Sequence, residues 1–289
     1  MPRHFSSHRI ICWRVSRHCN RSCPFCLSRS GPRFQQPERE VGAVVERFSS
    51  LGIEKISYSG GEPTIWPDIE SAITLAAQAS ILQVLTTNGD SFADSIPSWL
   101  PRLEYLKLSF YGGRDSHDAF MGSGNYDALL SLARRVRGST GLHVGANYML
   151  TEQSLGEAGV FLAEAHAAGV GDVMFQTYIY TGSRRVDRRF ALPDNTDAIA
   201  RLDHICRGAG VEFDKGIKVQ NYALKDWFVV LNEKDQFTLP ASDGTEDFVM
   251  GHLDDGTLRL PDGDERPSAD ALEAIWNMRL GSPAIVEIA

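Results

Sequence analysis

Cys19, Cys23 and Cys26 fall within one short stretch, Cys19-Asn20-Arg21-Ser22-Cys23-Pro24-Phe25-Cys26. Thiolates are soft metal ligands, and the C-x3-C-x2-C spacing puts three of them on a single loop. A cubane iron–sulfur cluster takes four protein thiolates, one per iron, so a loop offering three leaves one iron open to another ligand. An open coordination position separates metal sites that do chemistry from sites that only hold a fold together. Tetrahedral zinc is a competing reading. It needs a fourth ligand, and His18 stands beside Cys19, but no second Cys or His pair follows at finger spacing. Disulfides fit less well, because five cysteines with no even framework and no signal peptide are the usage of a reducing compartment.

Charge is unevenly spread. The chain has 289 residues and a net charge of -8, which argues against a general nucleic-acid binder. Residues 1–37 nevertheless hold seven arginines and no acid, whereas residues 232–265 hold ten acids and two bases. Arg3 and Arg9 read as solvated. Arg14, Arg17, Arg21 and Arg29 flank the cysteines, where positive charge favours a carboxylate ligand or an acidic electron donor. No apolar run approaches the roughly 20 residues that span a bilayer, so the expectation is a cytoplasmic protein. With 43% hydrophobic residues it can bury one large core, with or without an appendage.

The elements that position the cysteines alternate strand and helix, the pattern of a parallel sheet with helical crossovers. A first strand over 9–15 feeds the cysteine loop. A helix over 37–51 carries Val41, Val44, Val45, Phe48 and Leu51 on one face and stops at Gly52. The strand over 53–59 ends in Gly60-Gly61-Glu62-Pro63, where glycine lets backbone approach a ligand closely. A helix over 68–79 and a strand over 81–86 lead to Thr86-Thr87-Asn88-Gly89. A strand over 103–110 sets Leu106, Leu108 and Phe110 against Tyr105, Lys107 and Ser109. After a helix around Tyr126 to Val136, a strand over 142–150 sets Leu142, Val144, Ala146, Tyr148 and Leu150 against His143, Gly145, Asn147 and Met149. Polar residues on one strand face point to a lumen that holds a polar ligand, or to half-exposed edge strands. A helix over 152–168 and a strand over 170–179 complete six units. The four arginines of Arg184 to Arg189 then fall at the expected barrel mouth, where one or two would contact an anionic substrate.

Together, the cysteine loop with Phe25 and the downstream Ser59-Gly60-Gly61-Glu62-Pro63 resemble the radical S-adenosylmethionine (SAM) superfamily. The resemblance covers about the first 180 residues. It implies an α/β fold, a partial (β/α)6 TIM-type barrel over 1–212, with a small C-terminal extension containing β-hairpins over 213–289. It implies that Cys19, Cys23 and Cys26 hold one [4Fe-4S] cluster whose fourth iron is chelated by the amine and carboxylate of S-adenosyl-L-methionine. Phe25 would pack on the adenine and Gly60, Gly61, Glu62 and Pro63 would bind the methionine amine. Asn88, Ser109 and Asn147 would be further cofactor contacts. A flavodoxin or ferredoxin-type electron donor is implied as partner.

Trp227 to Pro240 resembles the hairpin that opens the extension of the SPASM or twitch branch, which binds auxiliary clusters through cysteines. This chain departs from that pattern, because Ala241 follows Pro240 and no cysteine occurs after Cys206. The expectation is an extension that acts as a lid without metal. Cys206 has two readings: a small buried hydrophobe on an apolar helix face, or a thiol that quenches a substrate radical, as in some epimerases of the superfamily. With the first ligand at residue 19, a small polar substrate such as a sugar, nucleoside or amino-acid derivative is favoured over a ribosomal peptide. A non-catalytic iron–sulfur carrier or a zinc-binding module stands as the reading of another class.

Overall fold

The computed structural model describes residues 9–26, 40–178, 188–221, 229–240, 247–279 and 285–288. Its elements are β1 (Ile10–Ser16), α1 (Val41–Ser50), β2 (Lys55–Gly60), α2 (Ile69–Gln78), β3 (Leu82–Thr87), β4 (Tyr105–Phe110), α3 (Arg114–Met121), α4 (Asn125–Thr140), β5 (His143–Leu150), α5 (Glu152–Ala167), β6 (Asp172–Thr177), α6 (Asn195–Ala209) and β7 (Ile217–Gln220). There follow β8 (Val229–Leu231), β9 (Gln236–Leu239), β10 (Phe248–His252), β11 (Thr257–Arg259), β12 (Glu265–Pro267), α7 (Ser268–Arg279) and β13 (Ile285–Ile288). Adjacent strands from β1 to β7 pair in parallel, as the alternation predicts.

Two features differ from the sequence expectation. The sheet runs beyond six parallel strands, in the order β10-β9-β8-β1-β2-β3-β4-β5-β6-β7-β13. The acidic C-terminal stretch does form hairpins, but its β8 pairs in parallel with β1, and the later β13 pairs antiparallel with β7, so these strands extend both edges of the parallel sheet. The β8–β9 hairpin falls inside the Trp227 to Pro240 stretch, but strands of three or four residues carry too little periodicity to show that β8 would pair with β1. The second difference is α3, with only Ser116, His117 and Met121 buried, too few apolar positions to announce a helix.

One face of each parallel strand packs under helices. On β1, Ile11, Trp13 and Val15 are fully buried, and the Trp13 ring sits within 6 Å of the rings of Phe48, Tyr58 and Trp66. The opposite face of the sheet is polar. At its N-terminal end, the Tyr105 and His143 rings lie 4.3 Å apart, His143 Nε2 is 3.2 Å from Asp172 Oδ1, and Lys107 Nζ is 3.8 Å from Asp172 Oδ2. Burial governs all three titrations. It pulls Lys107 down to about 7, pushes Asp172 up to about 7, and with the Lys215 charge behind it pulls His143 down to about 4.

A stability limb follows from His143. Its unfolded-state pKa is about 6.5. Between that value and the folded value of about 4, the unfolded chain binds a proton that the folded chain refuses. Stability from this group is therefore present at neutral pH and falls as the solution is acidified through that window, by about 3 kcal/mol at most. Asp172, raised to about 7, binds its extra proton in the folded state over the same window and so works in the opposite direction. Urea midpoints of the wild type should therefore change little between about pH 6.5 and 4, and His143→Phe should unmask a stability that rises on acidification; a variant with a flat or falling profile would show that Asp172 does not carry the opposing limb.

Candidate active site

The cysteine loop leaves the C-terminal end of β1 and is seated by backbone. Gly61 N–H donates to Ser16 O at 2.7 Å and Glu62 N–H to His18 O at 2.8 Å, so the exit of β2 zips onto the chain entering Cys19. A Cβ on Gly60 would stand 2.2 Å from Ser16 O, and one on Gly61 1.9 Å from His18 O. The glycines are thus required for an approach of backbone to backbone, which alignment of a ligand alone would not reveal. Glu62 is buried, and its carboxylate accepts from Thr64 N–H, the Thr64 and Thr87 hydroxyls and Asn88 N–H, at 2.7–3.1 Å. Its side chain ties the β2 exit to the β3 exit. Pro63 opens the short turn that follows.

Asp90 fixes the loop from the other side. The Arg21 guanidinium donates to both carboxylate oxygens at 2.5 and 2.7 Å, and Asn20 Nδ2 donates to Oδ2 at 2.8 Å. Asn88 Nδ2 in turn donates to Asn20 Oδ1 at 2.9 Å. Arg21 also donates to Met121 O on α3 at 2.8 Å. A forked, charge-assisted pair of this kind fixes orientation as well as position. Sequence reading missed Asp90, since its partner lies 69 residues away and the Asn-Gly-Asp run reads as an ordinary turn.

The arginines near the loop are spent inside the molecule. Arg17 is paired with the buried Glu233 of the β8–β9 turn, and Arg14 Nη1 is 3.4 Å from Asp247. Arg9 is not simply solvated, because it bonds Glu273 on α7 at 3.0 Å. Two of these ion pairs, Arg14 with Asp247 and Arg17 with Glu233, join the arginine-rich and the acidic stretches of the sequence. Arg29, Arg184, Arg185 and Ala241 lie outside the described residues.

Cys23 and Phe25 are buried in a second apolar cluster with Met121 and Tyr178, against which Cys26, Tyr111, Phe120, Met149 and Phe190 pack. The Phe25 ring meets Tyr111 at 4.6 Å, Phe120 at 5.0 Å and Phe190 at 5.7 Å. Burial, then the charges of Cys26 and Cys19, push the Cys23 thiol up to about 11. Among the described residues no three His, Cys, Asp or Glu side chains gather round one point as a single ion needs, whereas a cubane takes its thiolates on separate irons.

Ser109 and Asn147 are brought side by side, being direct partners on β4 and β5. The Asn147 Oδ1 is buried and has no hydrogen-bond partner among the described residues, an arrangement that costs free energy unless a further group or a bound molecule supplies a donor. The donor set, the glycine seat and this orphaned oxygen fit a cluster with an organic ligand. Cys206 is elsewhere. It is 2% exposed on α6, and burial, reinforced by Asp203, pushes its thiol up to about 12. Cys12, on β1, carries its Sγ 2.9 Å from Ser59 Oγ; the strand alternation with Ile11 and Trp13 was the signal for its facing.

Two outcomes test this geometry. Asp90→Asn should weaken the anchoring of the loop by about 1.5–3 kcal/mol, the worth of hydrogen bonds to a charged partner. The readout is less iron retained after reconstitution and desalting, with little change in far-ultraviolet circular dichroism; full retention would show that the Gly61 and Glu62 backbone bonds suffice. Cys206→Ala should cost about 1–2 kcal/mol of stability and leave turnover intact. A variant that melts normally yet forms no product would return Cys206 to the chemistry.

Comparison with known proteins places this arrangement in context. The Radical SAM superfamily model matches residues 13–154, from β1 through the cysteine loop to the start of α5. The chain is 24% identical over 198 residues to Fe-coproporphyrin III synthase of Methanosarcina barkeri, covering 66% of this chain and 49% of that protein. It is 24% identical over 220 residues to PqqA peptide cyclase of Gluconobacter oxydans, covering 74% and 60%. It spans about half the length of the curated relatives it matches. In fold it is similar to Streptococcus suis SuiB bound to S-adenosylmethionine, with TM-score 0.67, 15% identity, and coverage of 86% of this chain and 64% of SuiB. These matches carry a likeness to the radical SAM superfamily, whose members use a [4Fe-4S] cluster and SAM, with the family model covering just under half of the chain.

Proposed function

We propose that this chain cleaves SAM reductively and uses the radical to take a hydrogen atom from an unactivated C–H bond of its substrate. The observation that carries the reading is the seating of Cys19, Cys23 and Cys26 on one clamped loop at the C-terminal mouth of the parallel sheet, beside the Gly60-Gly61 turn. When bound, the cluster and SAM supply an electron and a 5′-deoxyadenosyl radical; the protein positions and shields them.

The residues divide the work. Cys19, Cys23 and Cys26 would hold the cluster, releasing their protons as they ligate. Gly60, Gly61 and Pro63 present backbone to the amine of SAM, while Glu62 holds that turn to Asn88 and Thr87. Ser109 offers a hydroxyl and Asn147 an unpaired oxygen from neighbouring strands. Phe25, backed by Tyr111, Phe120 and Phe190, would exclude water on the adenine side. A flavodoxin or ferredoxin-type protein would deliver the electron. Residues 213–289 serve as a SPASM-like remnant without a cluster of its own, since no cysteine follows Cys206.

Two substrate classes follow from different observations. The polar face with Ser109, Asn147, Gln176 and Gln220 suits a small polar molecule. A peptide is the second reading, favoured by the likeness to PqqA peptide cyclase and to SuiB. Release of 5′-deoxyadenosine with panels of each class separates the two.

Reconstituted protein should bind about four iron and four sulfide per chain, as one cubane does. Triple replacement of Cys19, Cys23 and Cys26 by Ala should abolish both the cluster signal and SAM cleavage while the protein stays folded. Cleavage by the triple variant under dithionite would overturn the assignment, and about eight iron with two distinct signals would overturn the single cluster.

A further inference from the structure

The polar face of the sheet carries a second set of titratable side chains, at the N-terminal ends of the strands and away from the cysteine loop. Strand alternation aims Lys55 on β2, Tyr105 and Lys107 on β4, His143 on β5, Asp172 on β6 and Lys218 on β7 to that face, and Lys215 stands just before β7. Register puts Lys107, Gly145 and Asp172 in one row across β4, β5 and β6. Gly145 leaves room in that row. A Cβ there would stand 2.1 Å from Asp172 Oδ1 and 2.6 Å from the Tyr105 hydroxyl oxygen, so both polar atoms lean over the glycine.

Positive charge converges on the same place. Lys107 Nζ is 5.4 Å and Lys215 Nζ 4.9 Å from the centre of the Tyr105 ring, both within cation–π range. Lys107 Nζ lies 3.8 Å from Asp172 Oδ2, longer than a hydrogen bond, while His143 Nε2 stands 3.2 Å from Oδ1 of the same carboxylate. The other acids that face these groups are Glu104, Asp214 and Glu287, with Lys218 Nζ 3.3 Å from Glu287 and Arg137 Nη1 3.5 Å from Asp214. All three are exposed, so water screens them. Among the described residues, Asp172 is thus the one buried carboxylate beside two lysines drawn out of water, Lys55 and Lys107. Burial, then the charges of Lys218, Lys55 and Lys215, pull Lys107 down to about 7, and burial with the Lys215 charge pulls Lys55 down to about 8 against Glu104.

We propose that this floor is a phosphate site, in which the ammonium groups of Lys55, Lys107 and Lys215 bind one phosphate group beside Gly145, supplied either as inorganic phosphate or as the phosphate tail of a substrate. Lysines act on phosphate as point charges, and a dianion offsets more than one of them. Ser109 lies two residues beyond Lys107 on the same face of β4, about 7 Å along the strand, a span that a short phosphorylated sugar bridges. The site stands apart from the cysteine loop, and its binding is read without a cluster, so its failure leaves the iron–sulfur reading untouched.

Isothermal titration of the chain with inorganic phosphate at fixed ionic strength should show saturable binding of one phosphate per chain. Lys107→Met and Lys215→Met should each raise the Kd about tenfold or more, as loss of a hydrogen bond to a charged group does. Lys215 is exposed, so its variant keeps the fold even where replacement of the buried Lys107 does not. Sulfate, whose charge is fixed across the range, reads the proton linkage. Binding that recharges Lys107 and Lys55 and protonates Asp172 takes up protons, so sulfate affinity should rise as the pH falls from about 8 to about 6. A pentose phosphate separates the two sources, binding more tightly than inorganic phosphate if the group is a substrate's tail and no more tightly if the site takes the free ion. Absence of saturable binding by both phosphates, or equal affinity in the wild type and both lysine variants, would overturn the proposal.

Discussion

The site depends on one close approach of backbone to backbone. Ser16 to His18 and Gly60 to Glu62 are bonded so tightly that neither glycine has room for a Cβ. Everything else at the site is arranged on that contact. It puts the cysteine loop at the mouth of the sheet, and it places Glu62 where one carboxylate can bond the ends of β2 and β3. Alanine at either position would have to move the main chain, because the atoms it would meet are backbone and cannot rotate away.

The second support is electrostatic and comes from across the chain. Arg21 is held by Asp90, Arg17 by Glu233 and Arg14 by Asp247. The residues are too exposed for these pairs to contribute much stability one by one, apart from Glu233, which is buried. Their effect is on position: the apolar packing of Cys23 and Phe25 is non-directional, so charged hydrogen bonds set the orientation of the loop. They also draw the acidic C-terminal strands onto β1, and Trp276 Nε1–H, donating to Ile10 O at 2.9 Å, seals α7 to the same strand.

The polar face of the sheet is graded along the strands. Near the N-terminal ends it holds Lys107, Asp172 and His143, whose charged forms burial disfavours. Two residues past Lys107 on β4 and four past His143 on β5 it offers the neutral Ser109 and Asn147.

The sequence by itself determined the thiol loop, the glycine turn and the alternating strands and helices, because each is a local pattern: fixed spacing, punctuation, or period. It also determined β4 and β5 as two-faced. Tertiary structure decided what each group touches. Asp90 and His117 carry no local signature, and Glu233 and Asp247 read as solvated acids until β8 to β10 are laid against β1. The facing of Cys206 was legible from helical period, yet its distance from the cysteine loop was not. Period fixes which side of an element a residue occupies; only the packing of elements fixes what stands opposite.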